Sequence, residues 1–151
     1  TEGGNWTNQQ GWLSEADECT WFSRSSRLPV CDINGVVRNL DLGFNEVGGI
    51  IPPELAMLSN LVRLELSGGT ERRIRGSIPS ELGLLSRIMS FDVFGNALTG
   101  VIPPQLGNWA SAEVVNLGFN RLTGTLPDVL SQMTSLTELN CGMNSLSGGI
   151  P

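Results

Sequence analysis

Apolar positions along this chain recur in blocks that open at Val37, Leu61, Ile88, Ala112 and Leu136, a step of 24 residues interrupted once by a step of 27. The first block runs Val37, Leu40, Leu42, Asn45, Val47, Gly49, Ile51, Pro52. The second runs Leu61, Leu64, Leu66, Ile74, Gly76, Ile78, Pro79, and the third Ile88, Phe91, Val93, Asn96, Leu98, Gly100, Ile102, Pro103. The fourth is Ala112, Val115, Leu117, Asn120, Leu122, Gly124, Leu126, Pro127, and the fifth Leu136, Leu139, Cys141, Asn144, Leu146, Gly148, Ile150, Pro151. Alternation of apolar and polar residues at the start of each block predicts a strand with one face buried. Coils repeating at this interval stack, so the strands align in parallel and form one continuous sheet on a concave face. Beyond each Pro, segments from Pro53, Ser80, Pro104 and Asp128 place apolar residues three apart. That spacing predicts a short helical or 3₁₀ turn on the convex side. Each coil buries its apolar side only against its neighbours, so at least three are needed. The chain divides into a cap at 1–35 and a solenoid at 36–151 with four full repeats and a truncated fifth.

The column Asn45, Asn96, Asn120 and Asn144 falls where each strand must turn. An amide side chain both donates and accepts, so these residues are expected to bond backbone of their own coil and the next. The Gly of each G-x-I-P step admits backbone angles closed to other residues, and the Pro ends strand pairing. The second block lacks the Asn and carries its extra residues between Gly68 and Arg75. Insertions of this kind map to loops on one face, often the binding face. Arg72, Arg73 and Arg75 make it a basic tuft, open to reading as a tolerated bulge or as a contact loop. Trp109 takes a place held by leucine or methionine in other copies, and the small Ala112 follows it. The pairing keeps volume roughly constant, so Trp109 is expected in the core. Cys141 stands at a core strand position and is expected to be a buried structural thiol.

Net charge is −6, from 15 acidic residues against 9 arginines, with no lysine and no histidine. This balance argues against a nucleic-acid partner, because phosphate contacts are made mainly by clustered Lys and Arg. Without His or Lys, the Ser-His-Asp, Cys-His and Schiff-base routes are closed. A shallow sheet offers no enclosed site for a carboxylate pair, and no phosphate loop is present. No enzyme, cofactor or metal centre is expected. Residues 1–35 do not repeat and carry Trp6, Trp12, Trp21 and Phe22 around Cys19. Aromatics there can cover the apolar side of the first coil. Cys19 and Cys31 are candidates for a disulfide, which would imply an oxidising compartment. Asn5-Trp6-Thr7 is an N-glycosylation acceptor sequence.

These blocks resemble the plant-type leucine-rich repeat with its L-x-G-x-I-P segment. Trp12, Cys19, Trp21 and Cys31 resemble the W…C-x-W…C pattern of the plant-type N-terminal cap, with Ser23 to Pro29 as an added loop. Gly3 to Leu13 is similar in wording to caps of algal, diatom-like members. The resemblance implies an α/β repeat, a right-handed leucine-rich-repeat solenoid. It also implies the extracellular part of a receptor-like protein or receptor kinase, or a secreted inhibitor of the polygalacturonase-inhibitor kind. Any membrane anchor or kinase would then lie in segments outside this chain.

In such a fold the outward strand residues form columns. One is Asp41, Glu65, Asp92, Asn116 and Asn140; beside it lie Asn39, Arg63, Ser90, Val114 and Glu138. Neighbouring strands sit about 4.8 Å apart, so the carboxylates form an acidic strip. It reads either as a site for a cationic partner or Ca²⁺, or as a solvated strip partly neutralised by Arg63. Phe44, Phe94 and Phe119 are expected to be at least partly exposed beside it, as interface anchors or as packing between coils. The sequence therefore points to an extracellular or cell-surface recognition module whose concave face takes a protein, peptide or glycan. An ice- or polysaccharide-adsorbing solenoid, an architectural fragment and an intracellular scaffold stay open as alternatives.

Overall fold

The computed structural model describes Cys19, residues 29–71 and residues 73–149. Asn5, Trp6, Trp12, Trp21, Phe22, Arg72 and the terminal Ile150-Pro151 lie outside the described residues. The first strand of each coil falls where the alternation places it: β1 (Asn39–Asp41), β2 (Arg63–Glu65), β4 (Ser90–Asp92), β6 (Val114–Asn116) and β8 (Glu138–Asn140). They form a five-stranded parallel sheet in the order β1-β2-β4-β6-β8. Leu40 pairs with Leu64, Leu64 with Phe91, Phe91 with Val115 and Val115 with Leu139, so equivalent residues of successive coils stay in line.

A second sheet follows the turn in coils two to five: β3 (Arg75–Gly76), β5 (Ala97–Val101), β7 (Arg121–Thr125) and β9 (Ser145–Ser147), in the order β3-β5-β7-β9. It occupies the L-x-G-x-I stretch, whose alternation is also that of a half-buried strand. Gly49, Gly76, Gly100, Gly124 and Gly148 all have φ between 78° and 92°, a region open to glycine at little steric cost. On the outer side, the hydroxyls of Thr99, Thr123 and Ser147 donate to the carbonyls of Gly76, Gly100 and Gly124. The convex segments are 3₁₀ turns at Pro53–Met57, Ser80–Leu84, Pro104–Asn108 and Asp128–Gln132, each entered from a Pro in extended conformation. No helix among the described residues is long and apolar enough to cross a membrane.

One apolar cluster runs the length of the stack, from Leu40 to Met133. Trp109 lies fully inside it. Its ring sits 5.0 Å from that of Phe91, centroid to centroid, and its indole N–H donates to Leu82 O at 2.9 Å. Ala112, also fully buried, leaves the room this ring needs. The last coil departs from the expected burial. Leu139 is 38% exposed, while its equivalents Leu40, Leu64, Phe91 and Val115 are at most 4% exposed. Cys141 is half-buried and packs against the same apolar cluster. Burial still raises its thiol above the ordinary range.

The Asn column binds each coil to the one before it, not to the one after. Asn96 Nδ2 donates to Val93 O of its own coil at 3.0 Å and to Leu66 O of the preceding coil at 2.8 Å. Its Oδ1 accepts Ile74 N–H, also of the preceding coil, at 2.9 Å. Asn120 repeats this with Leu117 O, Val93 O and Leu98 N–H, and Asn144 with Cys141 O, Leu117 O and Leu122 N–H. Asn45 is buried at the equivalent place. Coil two, which lacks the Asn, is tied down differently. The Glu46 carboxylate accepts Thr70 N–H, Thr70 O–H and Glu71 N–H at 2.8, 3.1 and 2.9 Å. Gly69 allows that approach, since a Cβ there would lie 2.4 Å from Glu46 Cδ; at Gly68 it would lie 2.0 Å from Gly95 O.

Below the first coil, Cys19 and Cys31 are disulfide-bonded with Cα atoms 5.1 Å apart. Cys31 bridges antiparallel to Val37, and Val30 O accepts Arg38 N–H and Asn39 N–H. Asp32 holds the intervening turn by accepting Asn34 and Val36 N–H, and it pairs with Arg38 Nε at 2.9 Å. The Arg38 bond, helped by those two amides, holds its carboxyl below the usual range.

Replacing a ladder amide leaves buried backbone groups without partners, at about 1–3 kcal/mol each. Asn96→Ala should therefore cost about 4 kcal/mol in urea unfolding. Asn144→Ala, where the same bonds are half-exposed, should cost about 1–2 kcal/mol. Equal losses at both positions would contradict this role.

Candidate functional site

The outward face of the first sheet carries the columns expected from the sequence, but their chemistry differs from that of a solvated strip. Asp41, Asp92, Asn116 and Asn140 each accept the backbone N–H two residues on, from Gly43, Phe94, Gly118 and Gly142, at 2.8–3.2 Å. This is an Asx turn that closes the end of each strand. Asn116 Nδ2 also donates to Asp92 Oδ2 at 2.9 Å, linking two coils. Glu65 is one methylene too long for the Asx geometry and instead accepts the Ser67 hydroxyl. Arg63 Nη2 reaches Glu65 Oε2 at 3.4 Å. Asp41, on this outward face, is only 7% exposed.

Coils one to three, with Asn116 of coil four at the edge, frame a hollow of about 530 Å³ lined by Asp41, Gly43, Phe44, Glu65, Ser67, Asp92, Phe94 and Asn116. Ser67 and Gly43 belong to it although the acidic column alone did not mark them; the D-x-G and E-x-S spacings carry that signal. A smaller hollow of about 230 Å³ adjoins it, lined by Phe44, Gly68, Gly69, Thr70, Arg73, Phe94, Gly95 and Phe119. Phe44 and Phe119 are 55% and 46% exposed. Phe94 is half-buried and packs on Phe119 with ring centroids 5.8 Å apart. Phe94 and Phe119 thus pair, while Phe44 and Phe119 face solvent. Asn140, two coils beyond Asp92, lies outside both hollows. Of the arginine tuft, Arg73 reaches the smaller hollow, and Arg75 lies in β3.

Phe44 and Phe119 occupy left-handed backbone, at φ 50° and 57°, at the turn position where coil three has Gly95. A side chain there costs roughly 1–2 kcal/mol. Among the described residues no three acidic, Cys or His side chains converge to hold a metal ion, so the geometry gives no support to Ca²⁺ on this strip. Burial raises the Glu65 carboxyl above the ordinary range. The charges of Asp92 and Asp41 add to the shift, while the Ser67 hydroxyl and Arg63 oppose it.

A leucine-rich-repeat family model matches residues 111–133. No curated protein matches the chain. Among solved structures, the BIR3–SERK2 complex from Arabidopsis thaliana is similar at 30% identity and TM-score 0.74, over 87% of this chain and 74% of that one. A TDR receptor is similar at 36% identity and TM-score 0.72, over 76% of this chain. The plant peptide hormone receptor RGFR1 in complex with RGF2 is similar at 34% identity and TM-score 0.71, also over 76% of this chain. The chain spans 19% of the TDR chain and 18% of the RGFR1 chain. With its five in-phase repeats, its paired sheets and these likenesses, the chain belongs to the plant-type leucine-rich-repeat proteins.

The raised Glu65 acid has a testable sign. The folded chain holds this proton more tightly than the unfolded chain, so the associated stability is fully present below the ordinary carboxylate range. It is lost as pH rises through the raised value. Glu65→Gln should therefore melt above the parent at pH 7, with the gap closing as pH falls below about 4. A gap independent of pH would show that Glu65 ionises as it does in the unfolded chain.

Proposed function

We propose that this protein is an extracellular recognition module that binds a peptide or an extended protein segment along its concave sheet. The observation that carries this reading is the hollow over coils one to three. It joins three carboxylates to two aromatic side chains. Phe44 and Phe119 add support. Each is about half exposed in a backbone conformation that glycine would adopt more cheaply, and strained, exposed residues of this kind cluster at binding sites. Aromatic anchors are also the commonest interface hot spots. The fold supports the reading further, since RGFR1, a relative in the same family, was solved in complex with RGF2. Placement outside the cell is supported by the Cys19–Cys31 bond, which persists in oxidising compartments. Attachment to a membrane would come from segments other than these.

The test is selection of a displayed random-peptide library on the intact chain, followed by affinity measurement with two paired variants. Phe44→Ser with Phe119→Ser alters the concave face; Glu81→Arg with Gln105→Arg alters the convex face. Each lost hot-spot contact is worth about 2 kcal/mol or more. The concave pair should weaken the selected peptides at least tenfold and the convex pair should leave them unchanged. Peptides insensitive to the concave pair and lost with the convex pair would overturn the reading.

A further inference from the structure

We propose that the hollow over coils one to three is a guanidinium site, taking one arginine side chain of the peptide that the concave face binds; this rests on the recognition reading above. Three features of the hollow point to a cation. Its walls carry the carboxylates of Asp41, Glu65 and Asp92, and among the described residues the one guanidinium paired with them is that of Arg63, at 3.4 Å from Glu65. The acceptors are not all used. Asp92 is satisfied at both oxygens, by Phe94 N–H and Asn116 Nδ2. Asp41 is different: more than nine-tenths buried, it accepts Gly43 N–H at Oδ1, and its Oδ2 has no hydrogen-bond partner among the described residues. A buried carboxylate oxygen left bare is costly unless a partner arrives. The third feature is the aromatic wall, where Phe44 and Phe94 border the same hollow.

Carboxylates alone would suit any cation. Flat aromatic walls beside them favour the planar guanidinium, which stacks on a ring face while its edge donates to carboxylates. An ammonium carries the same charge on a compact, strongly hydrated head without a flat face to stack. The hollow, at about 530 Å³, has room for a side chain. It is open to solvent along the sheet, as a peptide laid across the strands requires.

The probes are acetyl-Gly-Arg-Gly-amide, its citrulline counterpart, which keeps the shape and drops the charge, and its lysine counterpart. Each is titrated into the full chain and followed by backbone amide shifts. The arginine peptide should give saturable shifts centred on Gly43, Ser67 and Phe94. Citrulline should bind about tenfold more weakly, the loss expected when a charge-assisted bond goes, and lysine should also bind more weakly than arginine. The variant Asp41→Asn with Glu65→Gln keeps the Gly43 and Ser67 acceptors and should reduce arginine binding to the citrulline level. Equal binding of arginine and citrulline, or shifts that map elsewhere, would overturn the proposal, and equal binding of lysine would overturn the choice of guanidinium. Library peptides that need the concave face but tolerate citrulline for arginine remove this proposal and leave the recognition reading standing. Peptides indifferent to the concave face remove both.

Discussion

Every coil of this solenoid has to turn a corner with backbone amides and carbonyls pointing into an apolar interior, and the buried asparagines resolve that conflict. One amide side chain joins two carbonyls and one N–H drawn from two coils. It therefore satisfies the turn of its own coil and fixes the spacing to the coil before it. Hydrophobic burial alone would let coils slide; a ladder of directional bonds sets their register. The 24-residue period is the length that returns the chain to this position, and the parallel pairing of Leu64 with Phe91 and Phe91 with Val115 follows from it. Coil two tests the rule by breaking it. Its insertion removes the asparagine, and the Glu46 carboxylate, reaching over Gly69, holds the loop by three hydrogen bonds instead.

The same need for closure shapes the outer face. A strand of three residues ends abruptly, and an Asp or Asn at its last position caps the end through the amide two residues on. The acidic column is thus first a set of turn-closing groups. What distinguishes coils one to three is that their caps are charged, and that Glu65 exceeds the length a cap needs. Coils four and five use neutral Asn in the same column. The three carboxylates share one hollow with Phe44 and Phe94, and the recognition reading depends on that juxtaposition.

The fold was legible because a period with invariant chemistry survives any local ambiguity. The first sheet, the 3₁₀ turns after each Pro and the burial of Trp109 beside Ala112 could all be read from spacing. The second sheet was hidden by its own glycine, which reads as a turn although the flanking Leu98 and Ile102 keep strand alternation. Alternation gives the face on which Asp41 lies but not how deeply it is buried there. Cys141 keeps the core register that the spacing gives it and packs, half-buried, against the apolar cluster. Of the candidate site, the columns were legible, and their internal hydrogen bonds were not. Whether Asp92 meets a ligand or Asn116 depends on contacts between coils that a sequence does not state.

Native-state amide hydrogen exchange examines the asparagine ladder most directly. The Ile74 and Leu98 amides, each bonded to a buried Oδ1, should exchange only through unfolding of the whole stack, and the Leu122 amide, bonded to half-buried Asn144, should exchange sooner. Exchange at Ile74 and Leu98 as fast as at the exposed convex turns would mean that the asparagines do not hold the coils together.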